Sequence, residues 1–114
     1  MKKTVITFLS VIVFASGCAK SVPKCSDSRV TDLVAEIADR EMKNQIGEAD
    51  ASGFKYTVGA IRTTATNEQT GAHECAAELG INHEPTGDSS DLQITYTVEV
   101  TDDGNDFYVN VFGL

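Results

Sequence analysis

The chain has no tryptophan, only two prolines, and no lysine or arginine beyond Arg62. Residues 63–114 nevertheless hold ten Asp or Glu, so this half lacks the countercharge that phosphates require and nucleic acid is excluded as a partner. No phosphate loop, serine triad, paired-carboxylate motif or cofactor fingerprint occurs. Accordingly no catalytic residue, no cofactor and no metal is assigned, and the chain does not read as an enzyme. Long apolar runs are missing too, with one exception at the start. Val5 to Ala15 would rise only ~16 Å as a helix, against a bilayer core of ~30 Å, which argues against a spanning segment.

That run follows Met1-Lys2-Lys3 and ends in small residues, the basic start, apolar centre and small-residue site of a secretory signal. It leads into Ala15-Ser16-Gly17-Cys18, which resembles the lipobox of bacterial lipoprotein precursors, with alanine where leucine is commoner. The resemblance covers the first 18 to 20 residues. It implies a signal peptide over 1–17, lipid transfer to the Cys18 sulfur, cleavage before Cys18 and acylation of the new amine. Two or more acyl chains give stable anchoring at ~0.8 kcal/mol per buried CH₂. Ala19 after the cysteine, in place of aspartate, resembles lipoproteins sent to the outer membrane of a host with two membranes.

Cleavage would remove Lys2 and Lys3 and no acid, leaving seven cations against 17 acids and a formal net charge of −10. A body so acidic is read either as solubilised by its charge or as bearing a functional acidic face. Residues 18–24 form the acylated cysteine and a tether, in which Lys20 and Lys24 suit anionic headgroups. Six residues span at most ~20 Å, so the domain sits close to the lipid. With Cys18 taken by lipid, Cys25 and Cys75 remain in an exported chain and read as one disulfide.

Residues 25–114 are enough for a single small domain. Val30, Leu33, Val34, Ile37, Ala38 and Met42 recur at helical spacing, with N-cap candidates Ser26, Asp27 and Ser28 ahead and Gly47 behind. Four strand-like runs follow: Phe54 to Thr66, the segment "AHECAAELGIN", the segment "DLQITYTVEVT" and the segment "DFYVNVFG". The first slips phase near Gly59-Ala60, as a bulge would require. The linkers "NEQTG", "HEPTGDSSD" and "DDGN" carry turn chemistry. Pairing Thr101 with Asp106 sets Val100 opposite Phe107, Val98 opposite Val109 and Tyr96 opposite Val111, apolar against apolar. The expected fold is α+β, one long helix packed on a four-stranded antiparallel meander, with Cys75 placed to meet Cys25. That order resembles the cystatin-like architecture in topology. The Gln-x-Val-x-Gly loop of its protease-inhibitor branch is matched by neither "QITYT" nor "DDGND", so no inhibitory residue carries over.

His73 and His83 stand ten residues apart, ~33 Å along one strand, too far to share an ion. His73 and Cys75 share a face as a thiol–imidazole pair would, but a disulfide removes the nucleophile. Asp102 to Asp106 places oxygen ligands around a glycine without the distal glutamate of a full calcium loop, and reads as a hairpin turn. The outer face of the last hairpin sets Glu99 beside Tyr108, Thr97 beside Asn110 and Thr95 beside Phe112. Glu99, Tyr108, Asn110 and Phe112 are the candidate protein-binding residues. The two aromatics also serve as ordinary strand formers, and both readings stand at this point. The function expected is a non-catalytic envelope lipoprotein, held to the bilayer through Cys18, that binds another envelope or secreted protein with a basic surface. Inhibitor, immunity, exclusion and secretion-accessory roles fit. The alternative is a periplasmic small-molecule or calcium-binding lipoprotein, and a cell-wall hydrolase ranks last.

Overall fold

The computed structural model describes residues 21–114. Cys18, Lys20 and the apolar run lie outside the described residues. The chain forms helix α1 (Ser28–Ile46), a short helix α2 (Glu48–Ala51) and strands β1 (Phe54–Thr66), β2 (His73–His83), β3 (Asp88–Val100) and β4 (Phe107–Phe112). The strands make one antiparallel sheet in the order β1-β2-β3-β4, a meander with α1 packed on one face.

Helix α1 begins where Asp27 supplies a side-chain acceptor: its Oδ1 takes the Arg29 N–H at 2.9 Å. It stops at Gly47, whose φ of 90° no longer continues a right-handed helix. Val30, Val34 and Ala38 are buried, with Leu33, Ile37 and Met42 half-buried alongside, so the apolar stripe of the sequence is the face laid on the sheet. Opposite it are Cys75, Ala77 and Leu79 of β2 and Ile94, Tyr96 and Val98 of β3. Alternation with a period of two puts these on one side of each strand and leaves Glu74, Glu78, Gln93, Thr95 and Thr97 on the other.

The disulfide joins Cys25, just ahead of α1, to Cys75 in mid-β2, with the Cα atoms 5.8 Å apart. The Tyr96 hydroxyl, wholly inside the core, donates to the Cys25 carbonyl at 2.8 Å. Thr63 of β1 donates its hydroxyl to the Cys25 sulfur at 3.3 Å. One short segment thus ties helix, β1, β2 and β3 together.

The ladder departs from the sequence reading at four places. The β1–β2 register shifts between Gly59 and Arg62, at the expected bulge where Ala60 takes φ 49°, but it shifts again between Thr63 and Ala65, and this second irregularity, which side-chain alternation did not reveal, is the first departure. Residues 88–90, assigned above to the linker "HEPTGDSSD", belong to β3: His83 faces Asp88, Asn82 faces Ser89 and Ile81 faces Ser90. Only Glu84 to Gly87 turn, closed by the Gly87 N–H on the His83 carbonyl at 2.8 Å. Polar residues hold strand geometry here because the neighbouring strand supplies their backbone partners, whatever their side chains. Third, α2 follows α1 and buries Ala51. Fourth, the residues expected as a tether through 24 are packed at their C-terminal end: Val22 lies against the core and Pro23 is buried. Gly71 of the β1–β2 turn, at φ 79°, makes room for Val22, since a Cβ there would stand 3.1 Å from its Cγ2.

Candidate interaction face

The β3–β4 register is Thr95↔Phe112, Thr97↔Asn110 and Glu99↔Tyr108 on the outer side, with Tyr96↔Val111, Val98↔Val109 and Val100↔Phe107 facing α1. The four residues singled out in the sequence are therefore neighbours on the surface away from the helix. Tyr108 is 44 % exposed and Phe112 55 %, the two most exposed large apolar side chains among the described residues. Asn110 lies between them in β4 and is exposed as well. The Tyr108 hydroxyl donates to Glu99 Oε1 at 3.0 Å. That hydrogen bond, with the carboxylate's negative charge, lifts the phenol above its ordinary range and keeps the proton on Tyr108.

The face continues across β2, where Glu74 opposes Thr97, Ala76 opposes Thr95 and Glu78 opposes Gln93, with Gln93 Nε2 donating to Glu78 Oε2 at 3.1 Å. Two shallow concavities adjoin along this seam. One of about 220 Å³ lies between Thr64, Thr95 and Phe112, and one of about 390 Å³ lies between Asn67, His73 and Glu99; Glu74 and Thr97 border both. No strand after β1 carries a lysine or arginine. Arg62, opposite Ala76 in β1, donates from Nη1 to the Ala60 carbonyl at 3.2 Å. The result is a polar, acid-bordered sheet surface with two aromatic side chains standing at its β4 margin.

The other candidates are dispersed. His73 and His83 occupy opposite ends of β2; each Nδ1 is hydrogen-bonded to a threonine hydroxyl, Thr66 at 3.0 Å and Thr86 at 2.8 Å. The His83 ring also packs against Phe54, centroids 4.6 Å apart. Cys75 is bonded to Cys25 and offers no thiolate. In the Asp102 to Asp106 turn, Asp103 Oδ1 accepts from Thr101 Oγ1 at 2.6 Å and from the Asn105 N–H at 2.9 Å, while Asp106 Oδ1 accepts from the Phe107 N–H at 2.9 Å. These carboxylates close the hairpin. Among the described residues no group of three or more His, Cys, Asp or Glu side chains is placed to hold a metal ion. No helix of the described residues is long and apolar enough to cross a membrane.

The sequence reading missed an apolar cleft of about 170 Å³ beneath the C-terminal half of α1, lined by Ala38, Met42, Tyr56, Leu79, Leu92 and Leu114 among others. The Tyr56 hydroxyl is buried beside it with no hydrogen-bond partner among the described residues. Burial and the negative charge of Asp39 raise the affinity of this phenol for its proton, against a smaller opposing pull from Lys43. A signal existed in the sequence: Tyr56 alternates inward with Phe54 and Val58, where a hydroxyl has few partners. No protein-family model, curated protein or solved structure matches this chain.

Proposed function

We propose that the chain is a lipid-anchored envelope protein whose small disulfide-bridged domain binds another protein through the outer face of β3 and β4. The observation that carries this reading is the pair of exposed aromatics, Tyr108 and Phe112, standing beside Glu99 and Asn110 on a surface whose strands β2–β4 contain no cation. Aromatic side chains with a fixed orientation supply contact area at low entropic expense, and hydrogen-bonded neighbours orient them. The Tyr108–Glu99 bond does this here. An acidic border then selects partners with a basic surface and accelerates encounter at low salt.

The anchor rests on the lipobox resemblance at Cys18, with localisation at the cell membrane and, in a host with two membranes, at the outer membrane facing the periplasm. Helix-then-meander order supports a cystatin-like arrangement in topology alone. In the test, wild-type protein and the Tyr108→Ala/Phe112→Ala double variant are used to capture partners from envelope extracts of the host. One specific partner, lost in the variant, is the expected result; equal capture by both proteins refutes this surface. A second reading, a small apolar ligand, is favoured by the 170 Å³ cleft at Tyr56. It requires a ligand-dependent rise in Tm that Tyr56→Phe alters and the double variant leaves unchanged.

A further inference from the structure

The two edges of the sheet are not alike. β1 carries two register breaks, an alanine at positive φ, and both Lys55 and Arg62, devices that keep an edge from pairing with another chain. β4 has none of them: all six of its residues pair with β3 in unbroken register, without lysine, arginine or proline. The phase of its backbone follows from the turn. The Thr101 N–H donates to the Asp106 carbonyl at 2.9 Å, so this is a hydrogen-bonded pair. Antiparallel pairs alternate, so Tyr108, Asn110 and Phe112 direct their N–H and C=O groups to β3. Phe107, Val109 and Val111 direct theirs to the open side. Phe107 confirms the phase, because its N–H is taken by the Asp106 carboxylate and not by β3. The N–H groups of Val109 and Val111 have no partner strand among the described residues.

We infer that β4 accepts a fifth strand from the partner, an extended segment alternating apolar and basic residues. This rests on the protein-binding reading and adds the partner's chemistry and mode of docking. Apolar positions of such a strand continue the row of Phe107, Val109 and Val111. Basic positions fall on the outer side, ~4.8 Å from Tyr108 and Phe112 and two strand spacings from Glu99. Asp102, Asp103 and Asp106 flank the entry, no Lys or Arg of β2–β4 opposes it, and Arg29 of α1, 5.4 Å over the Phe107 ring on the helix side, is paired with Asp27. In an antiparallel pairing of two copies through β4, the acidic turn of each would face Phe112 to Leu114 of the other, which offer no cation, so charge favours a basic strand over self-pairing.

The probe is a peptide of about ten residues alternating valine and lysine. Its controls are a valine–glutamate peptide and a valine–lysine peptide interrupted by proline. Amide hydrogen exchange is followed in the full-length protein purified from its host in detergent. The valine–lysine peptide should slow exchange at Val109 and Val111 at least tenfold, with weakening in salt, and the controls should not. Val109→Pro removes an N–H that points away from β3, so the Thr97–Asn110 pairing should survive while peptide protection is lost. Glu99→Gln with Asp102→Asn removes two negative charges while leaving the Tyr108 hydroxyl an amide oxygen to meet, and should weaken binding with the β3–β4 pairing intact. No protection at millimolar peptide, equal protection by the glutamate peptide, or concentration-dependent protection without peptide each overturns the inference. An envelope partner lost in Tyr108→Ala/Phe112→Ala but retained by Val109→Pro overturns the edge mode and leaves protein binding intact. Peptide protection with no envelope partner overturns the latter alone.

Discussion

Replacing both bridge cysteines, Cys25→Ala with Cys75→Ala, probes what holds this domain together. The bridge spans 50 residues of sequence, a loop that contains α1, α2 and β1. In the chain-entropy model, closing such a loop removes unfolded-state freedom equivalent to about 4 kcal/mol at 25 °C. Domains of this size have a net stability of roughly 5–15 kcal/mol, so the loss is a large fraction of the whole. At ~4–8 °C per kcal/mol, Tm should fall by about 16–32 °C. The native fold supplies no compensation, because both sulfurs are buried and Thr63 loses the acceptor of its hydroxyl. Urea unfolding followed by circular dichroism is the assay. The variant's m-value should rise, since an uncrosslinked unfolded chain exposes more surface. Amide exchange should accelerate most in α1 and β1, the part enclosed by the loop. A stability difference under ~1 kcal/mol, or an unchanged m-value, would refute the argument that the bridge acts by constraining the unfolded chain.

Three further substitutions test the interior and the helix start. Tyr96→Phe leaves the Cys25 carbonyl without the hydroxyl that meets it in the core and should destabilise by about 2 kcal/mol in urea titrations. Tyr56→Phe deletes a buried hydroxyl that has no partner among the described residues, so the same titration should find it neutral or stabilising by up to ~1 kcal/mol. Asp27 is held down to about 2 from 3.8, first by the Arg29 side chain and then by its N–H. Its folded-state value is depressed, so its stabilising contribution is present above pH 4 and lost as pH falls toward 2. Asn at position 27 keeps a capping oxygen but cannot titrate. The wild-type and Asp27→Asn Tm curves should therefore converge on acidification through that window, and parallel curves would contradict the assignment.

Much of the architecture is written locally. The three- and four-residue spacing from Val30 to Met42 specifies a helix with one apolar stripe, and Asp27 and Gly47 bound it. Strict alternation from Leu92 to Val100 specifies a strand with one buried face, and the turn that joins Thr101 to Asp106 selects which of the apolar-to-apolar pairings with β4 forms. Glu99, Tyr108, Asn110 and Phe112 were legible as neighbours for the same reason. The ends of β2 and β3 were not, because Asp88, Ser89 and Ser90 have little strand preference of their own and take it from Ile81, Asn82 and His83. The second shift in β1 was hidden among threonines whose side chains differ little between faces.

What the amino acids alone determined was periodicity: which residues lie on one side of a helix or strand, and the order of the elements. Tertiary structure decided everything that depends on a second segment arriving. It turned Tyr96 toward the carbonyl of Cys25, buried Pro23, stranded the Tyr56 hydroxyl and left the backbone groups of Val109 and Val111 on the outer edge of the described sheet. The reason is physical. A side chain's hydrophobicity is its own property, but a hydrogen bond, a burial or a free sheet edge is a property of two chains of atoms meeting, and no local pattern records the meeting.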